Sequence, residues 1–376
     1  MLKTIHKIFN FTKIPNINPE LFHNFAMKTS EKLEKNNWIL EKIRKATYVA
    51  WEEKLKFKIW NVEFKNPIWL AAGFTKEPVW LKFWEAFGFG SITLGWITKY
   101  SQGWNSKKRI FRFSDWIVNW MWLPGPWLEE VIKMLEKRKK ENMMPKVPLG
   151  ANLCNSLKTK PEEKIDEFKD EMLALYPYVD FFEINVSCPN QAWVCSLQSE
   201  VWNILEELTK YNKDLSKKFN IERKLLFVKI SPLSQNPKNP EDWTIEWLRS
   251  LAWIFNKYKQ KWLDWVIATN TAKEHSHKQK TKIKTPSWQI ITGWASWKQI
   301  QEISLKTVKK LREFLDKDIV IIWVGWIGYD EKWQEGQSWV NMLKAWATSL
   351  QLLSSFIQDW TVMVVKDLKK AILKNK

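Results

Sequence analysis

The sequence predicts an α/β protein: a (β/α)8 TIM barrel carrying a small N-terminal helical extension. Three observations carry this. From Asn66 onward short apolar runs alternate with helical patterns, as parallel βαβ units require. Eight such runs are spread over roughly 300 residues, within the range that closes a barrel. Polar, chemically useful residues gather at the C-terminal ends of those runs, the end where barrels carry their active sites. A doubly wound open sheet is the alternative that the same alternation allows.

Residues 1–53 form the predicted extension. Leu21, Phe22, Phe25, Ala26 and Leu33 recur at helical spacing after Pro19, with Lys3, Lys7 and Lys13 ahead of them. An apolar stripe beside lysines suits contact with a membrane surface, and suits equally a helix packed on the main body. Residues 54–376 form the predicted barrel domain. It opens on a hairpin, because Leu55, Phe57 and Ile59 alternate, as do Val62 and Phe64, across the two-residue turn Trp60-Asn61. The eight expected barrel strands are Pro67–Ala72, Gly90–Gly95, Val147–Asn152, Phe181–Val186, Leu225–Ile230, Trp265–Asn270, Ile319–Val324 and Thr348–Leu352.

The composition contains an anomaly. The chain has 28 tryptophans and only 11 glycines. Glycine is therefore well below the usual ~7%, and counting the tryptophans as glycine would bring it to about 10%. The tryptophans also stand where glycine makes physical sense. Hairpin turns of two residues need positive φ, for which Gly-Asn is natural and Trp60-Asn61 is not. The same exchange turns Val324-Gly325-Trp326-Ile327-Gly328 into a phosphate-loop-like run. Overpacking one filled site costs about 1–3 kcal/mol, against a domain stability of only about 5–15 kcal/mol. These positions are expected to be glycine in the living protein, through a UGA codon reassigned to glycine. Arginine supplies seven of the 60 basic residues, in keeping with an AT-rich genome.

The formal net charge of +19 comes mostly from lysines spread along the chain. They form no recognisable nucleic-acid module, so nucleic acid is not an expected partner. Three cysteines (Cys154, Cys188 and Cys195) without CxxC spacing argue against a disulfide framework, a zinc site or an iron–sulfur cluster, and for a reducing cytoplasm. No metal is expected. No run approaches 18 apolar residues, so no transmembrane helix is expected.

The sharpest chemical motif is Glu183-Ile-Asn185-Val-Ser187-Cys188-Pro189-Asn190. It sets a cysteine just beyond a buried strand, between two asparagines. A thiolate there could take a proton while amides hold the edges of a planar polar ligand; a buried structural cysteine is the plainer alternative. None of the four histidines is placed to pair with it, which speaks against a Cys-His hydrolase. With tryptophan read as glycine, 321–328 becomes a glycine-rich turn after the seventh strand and 345–348 reads Ala-Gly-Ala-Thr before the eighth; loops after strands seven and eight are where barrels bind phosphate at backbone N–H groups. Lys76 follows the first strand and Lys229 lies near the end of the fifth, where each could face the negative edge of a flavin or form a surface ion pair.

Together these residues resemble the dihydroorotate dehydrogenase family over nearly the whole chain. The carrying segments are Asn66-Pro-Ile-Trp-Leu-Ala-Ala-Gly73-Phe-Thr-Lys76, Gly88-Phe-Gly-Ser-Ile, Asn185-Val-Ser-Cys-Pro-Asn190, Val228-Lys-Ile-Ser-Pro232, Asp264-Trp-Val-Ile-Ala-Thr-Asn-Thr271, Thr292-Gly-Trp-Ala-Ser-Trp297 and the 321–328 loop. The resemblance implies oxidation of dihydroorotate to orotate in pyrimidine biosynthesis, with FMN as cofactor. Cys188 would be the general base. Lys76, Asn119, Asn185, Asn190, Asn270 and Thr271 would hold the substrate. Ala72, Gly73, Lys76, Trp96, Asn152, Asn185, Lys229, Thr269, Trp297, Gly325, Trp326, Leu353 and Ser354 would line the flavin. Trp96, Trp297 and Trp326 are among the anomalous tryptophans, and as indoles they would fill the cofactor's space.

The subclass reads two ways. The extension, with Asn18-Pro-Glu-Leu-Phe-His23, and Ser196-Leu-Gln198 look like the membrane-associated, quinone-reducing class 2. That implies peripheral contact with the inner face of the cell membrane through residues 1–50. A cysteine base looks like the soluble class 1, which uses fumarate or NAD. Thr98-Lys-Tyr100 and Cys195 also depart from the class 2 pattern of a Thr-Pro-Arg run and an arginine. The extension favours class 2. Another FMN barrel acting on a related pyrimidine, an aromatic-rich binding protein and a flavin-free barrel are the competing readings.

Overall fold

A computed structural model describes residues 33–103, 110–112, 116–119, 125–187, 200–232, 244–258, 265–270, 282–284, 290–292, 294–324, 343, 347–352 and 363–374. Eight parallel strands close into a barrel: β3 (Ile68–Thr75), β4 (Ser91–Ile97), β7 (Leu149–Leu153), β8 (Phe181–Asn185), β9 (Leu225–Ile230), β10 (Trp265–Ala268), β14 (Val320–Val324) and β15 (Ser349–Leu352). Each overlaps one of the eight expected runs, so the closed barrel, not the open sheet, is the fold.

Alternation along the strands explains the two cores. In β8, Phe182 and Ile184 point outward into the layer shared with the helices, whereas Phe181 points inward with Leu225, Phe227, Ile267 and Ile322. Near the N-terminal ends of the strands the inward layer is mostly apolar, Ser91 and Ser349 excepted, and the inward polar residues Asn152, Glu183, Asn185, Lys229 and Gln351 gather toward the C-terminal ends. The hairpin β1 (Phe57–Ile59) and β2 (Val62–Phe64) pairs in register, Ile59 with Val62, and plugs the apolar end. There Phe64 stacks on Trp69 at 4.4 Å between ring centroids, and Trp69 meets Phe181 at 5.8 Å.

The helices cover the outside because their apolar residues recur at helical spacing. In α5 (Val201–Phe219) Ile204, Leu205, Leu208 and Leu215 are buried, and Asn220 ends the helix in the left-handed conformation. Helix α1 (Asn37–Thr47) starts at the Asn36 side chain, which accepts from the Ile39 N–H, and buries Leu40 and Ile43 in the barrel–helix core. Glu34 just ahead of it takes a two-pronged ion pair from Arg138 (2.6 and 3.1 Å) and accepts backbone N–H groups of Trp80 and Lys82. The end of the extension is thereby tied to α2 (Leu81–Ala86) and α3 (Leu128–Lys140). Residues 1–32, where most of the amphipathic pattern falls, lie outside the described residues.

Five non-glycine residues have positive φ among the described residues: Trp51, Trp60, Trp80, Asn142 and Asn220. Two are asparagine, a residue that tolerates this conformation. The other three are tryptophan, which carries the full Cβ penalty there.

Candidate active site

The polar end of the barrel is built by register. Asn152, next to last in β7, lies opposite Glu183 of β8, and Asn185 at the end of β8 lies opposite Lys229 of β9. All four side chains are buried, as is Thr269 just after β10. Asparagines and a lysine are seldom buried unless hydrogen-bonded or charge-compensated, so convergence of several at one strand end marks a binding surface.

The amides form a ladder. Asn185 Nδ2 donates to Asn152 Oδ1 at 3.2 Å. Asn185 Oδ1 in turn accepts from the Ser187 N–H (3.3 Å), Ser187 Oγ (3.2 Å) and Asn270 Nδ2 (3.5 Å). Asn270 Nδ2 also reaches Ser187 Oγ at 3.1 Å. Three strands are thus laced together by Asn185 and Ser187, which stand just ahead of Cys188 in the chain. Thr269 Oγ1 donates to Ser304 Oγ at 3.2 Å, and Ser304 donates to the Val324 carbonyl at the end of β14.

On the opposite side of the rim, Ala72 and Gly73 lie in β3 and Lys76 follows it. Gly73 adopts φ +99 and Gly95 φ +116. A Cβ at Gly95 would meet the Asn152 carbonyl at 2.7 Å, so only glycine lets β4 lie this close to β7. Lys76 Nζ sits 5.3 Å from the Trp96 ring centroid, and Trp96 also packs on Cys154. The Trp96 indole N–H is buried with no acceptor among the described residues. Burial pushes the neighbouring Glu77 carboxyl up, and repulsion from Glu130 adds to it. A buried lysine, Lys229, set among Asn152, Asn185 and Thr269 at one end of the barrel suits the polar edge of a planar, anionic heterocycle such as a flavin. The Trp96 indole is the exception, a bulky orphan at the same rim.

Of the expected site residues, Asn152, Asn185, Lys229, Thr269 and Asn270 come together, with Ala72, Gly73, Lys76 and Trp96 on the same rim. Asn119 and Trp297 are described by backbone alone. They lie in a three-stranded antiparallel sheet of β5 (Ile110–Arg112), β6 (Trp116–Asn119) and β13 (Trp294–Trp297), where Asn119 pairs with Trp294. These segments come from the connections that follow β4 and β10, which leave the C-terminal end of the barrel. Cys188, Asn190, Thr271, Gly325, Trp326, Leu353 and Ser354 lie outside the described residues.

Three participants were not assigned a role from sequence: Glu183, Ser187 and Gln351. Glu183 accepts from Asn152 Nδ2 and Thr93 Oγ1, each at 2.9 Å, and from Gln351 Nε2. The available signal was a carboxylate in an otherwise apolar strand run, two residues before Asn185 and therefore on the same inward face. Behind the rim, Glu167 of α4 (Lys164–Leu175) accepts from Ser156, Thr159 and, at 3.3 Å, the Lys99 N–H. One turn on, Glu171 is fully buried; desolvation, with repulsion from Glu167 second, pushes its carboxyl well above the ordinary range. Among the described residues no cluster of His, Cys, Asp and Glu is arranged to hold a metal ion.

The family model described as dihydroorotate dehydrogenase matches residues 54–375. A dihydroorotate dehydrogenase (quinone) of Crocosphaera subtropica is 30% identical over 340 residues, covering 87% of this chain and 84% of that protein. One from Coxiella burnetii is 28% identical over 310 residues, 81% of each chain. Among solved structures, DHODH of Eimeria tenella in complex with ferulenol matches with a TM-score of 0.76 at 23% identity. It covers 98% of this chain and 94% of that one, a likeness of fold. With the model spanning the whole barrel and relatives aligned over more than four-fifths of the sequence, the chain belongs to the dihydroorotate dehydrogenase family.

Proposed function

We propose that this protein oxidises dihydroorotate to orotate in pyrimidine biosynthesis, with FMN as cofactor and a quinone as final electron acceptor. The observation that carries the reading is the buried ladder Asn152–Asn185–Asn270 beside Lys229, at the C-terminal ends of four consecutive strands. FMN, when bound, supplies the acceptor for the hydride that leaves C6 of the substrate. Cys188 Sγ takes the C5 proton, and the C5–C6 double bond forms as the two hydrogens depart. Ser187, tied through its N–H and hydroxyl to Asn185, fixes the start of the loop that carries this base. Asn185, Asn190 and Asn270, with Lys76, Asn119 and Thr271, hold the pyrimidine edges and carboxylate, stabilising the charge that develops there. Lys229, Thr269 and Asn152 hold the cofactor's polar edge. Ala72, Gly73, Gly325, Leu353 and Ser354, together with positions 96, 297 and 326, line its rings and phosphate.

The quinone assignment follows the relatives' names and the N-terminal extension. Residues 1–53 are read as that extension, and residues 1–50 as a peripheral contact with the inner face of the cell membrane from the cytoplasm. Among the described residues no helix is long and apolar enough to cross a membrane. The second reading, a class 1-type enzyme using fumarate or NAD, is favoured by the cysteine at 188.

The test is an anaerobic visible spectrum of the purified protein. Dihydroorotate is expected to bleach a flavin band, and a soluble quinone analogue to restore it while fumarate and NAD do not. A yellow protein indifferent to dihydroorotate would overturn the substrate; restoration by fumarate or NAD alone would overturn the acceptor.

A further inference from the structure

We propose that positions 51, 60, 80 and 96 carry glycine in the protein the cell makes, UGA being read there as glycine. The first three rest on backbone conformation. Tryptophan is 28 of 376 residues, yet it supplies three of the five non-glycine residues with positive φ among the described residues. Each stands where a chain uses glycine. Trp60 (φ +50) is the first central residue of the two-residue hairpin turn between Ile59 and Val62, the glycine position of a type II′ turn. Trp80 (φ +61) and Trp51 (φ +65) are the left-handed residues immediately before α2 and before the 3₁₀ turn Glu52–Leu55. Neither side chain caps its helix; Trp51 is exposed, whereas the Trp80 ring is buried against Phe83 and Trp84.

Trp96 rests on a different observation and on the flavin reading above. Its indole N–H is buried with no acceptor among the described residues, whereas a tryptophan selected for burial usually finds one. The ring lies under Lys76 at the rim, next to Gly95, whose own place leaves no room for a Cβ against the Asn152 carbonyl. Glycine at 96 removes the orphan donor and opens the rim.

The primary test is the mass of the tryptic peptide spanning residues 59–65, taken from protein isolated from the natural source. A glycine mass is expected; a tryptophan mass overturns the decoding. Two recombinant comparisons follow. Trp→Gly lowers stability at an ordinary position, because glycine loses most entropy on folding. The double variant Trp51→Gly, Trp60→Gly, at two exposed left-handed positions, is expected instead to raise the urea midpoint, and a lowered midpoint counts against the proposal. Trp96→Gly is expected to raise FMN retained per chain after desalting. A glycine mass with no gain in FMN would uphold the decoding and overturn the role given to position 96.

A second inference rests on the layer beneath the ladder. We infer that Glu183 is a positioning residue for substrate binding. Asn152 can lend its Oδ1 to Asn185 only while its Nδ2 points away, and Glu183 Oε2 at 2.9 Å holds it so. Thr93 and Gln351 hold the carboxylate from β4 and β15. Without that acceptor the Asn152 amide can turn over, presenting a donor to the Asn185 Nδ2. Glu183→Leu is expected to raise the orotate dissociation constant, and KM more than it lowers kcat, by about tenfold, the loss of roughly one hydrogen bond. Glu183→Gln is expected to rescue, since Gln351 can present its Oε1 to the new amide and leave an acceptor for Asn152. Should Glu183→Leu fail to fold, Glu183→Asp draws the carboxylate back by one methylene and is expected to weaken orotate in the same direction. Orotate binding unchanged in a folded Leu or Asp variant, with only the melting temperature lowered, overturns it.

Discussion

Asn185 donates to Asn152 at 3.2 Å and accepts from both Ser187 and Asn270, so one amide joins strands β7, β8 and β10 at the mouth of the barrel. Asn185→Ala leaves Ser187 and Asn270 without their shared acceptor and removes the donor that holds Asn152. The expected result is a fall in kcat/KM for dihydroorotate of roughly 10²-fold. Steady-state kinetics on protein with full flavin content check it.

Cys188→Ala removes the proposed base while the Asn152–Asn185–Asn270 ladder stays. Turnover is expected to fall by about 10²–10⁴-fold, while orotate still perturbs the flavin spectrum with nearly the parent affinity. Cys188→Ser should retain partial turnover and move the rise of kcat to higher pH, because a hydroxyl gives up its proton less readily than a thiol. A pH–rate profile with the base limb unmoved would remove Cys188 from that role.

Lys229 is buried at the end of β9, opposite Asn185. A hydrogen bond to a charged group contributes about 1.5–3 kcal/mol, so Lys229→Met is expected to weaken FMN by roughly 10–100-fold. Flavin released on dilution, followed by fluorescence, measures this without reference to turnover.

Glu171 offers a stability prediction away from the site. Its carboxyl is buried, with neither oxygen hydrogen-bonded among the described residues, and the Lys99 N–H that could serve it is bonded to Glu167. Its folded-state pKa is raised, by desolvation first and by Glu167 second. The folded protein therefore holds this proton more tightly than the unfolded chain. Its contribution is favourable below the ordinary glutamate range and is lost as pH rises through the raised value. Glu171→Gln is expected to flatten that decline and to stabilise the protein at neutral pH by about 1–3 kcal/mol. Urea midpoints at pH 4 and pH 8 test it: the gain should appear at pH 8 and shrink at pH 4.

The strands were legible because buried parallel strands are continuous apolar runs bounded by turn residues, a local property. Their ends were less sharp. The sixth expected run extended to Asn270, but the strand stops at Ala268 and Thr269-Asn270 turn into the site. The sharpest chemical motif was legible through Asn185, because an asparagine that ends an apolar run stands out. Glu183 stood in the same motif without a role, since nothing local says that Thr93 and Gln351 meet it. Those partners are 90 and 168 residues away along the chain.

By itself the sequence determined the eight barrel strands and the hairpin ahead of them, the polar strand ends, the glycine-like turns and the family, but not the antiparallel strands β5, β6 and β13. All of these follow from residue type and spacing within one element or one turn. Only the tertiary structure decided which polar ends face one another: the stagger of a closed barrel sets Asn152 against Glu183 and Asn185 against Lys229. That stagger is set by hydrogen-bond register around the whole ring, which no single strand encodes. It likewise revealed that Trp51, Trp60 and Trp80 take left-handed backbone, because φ at a turn is imposed by the elements it joins.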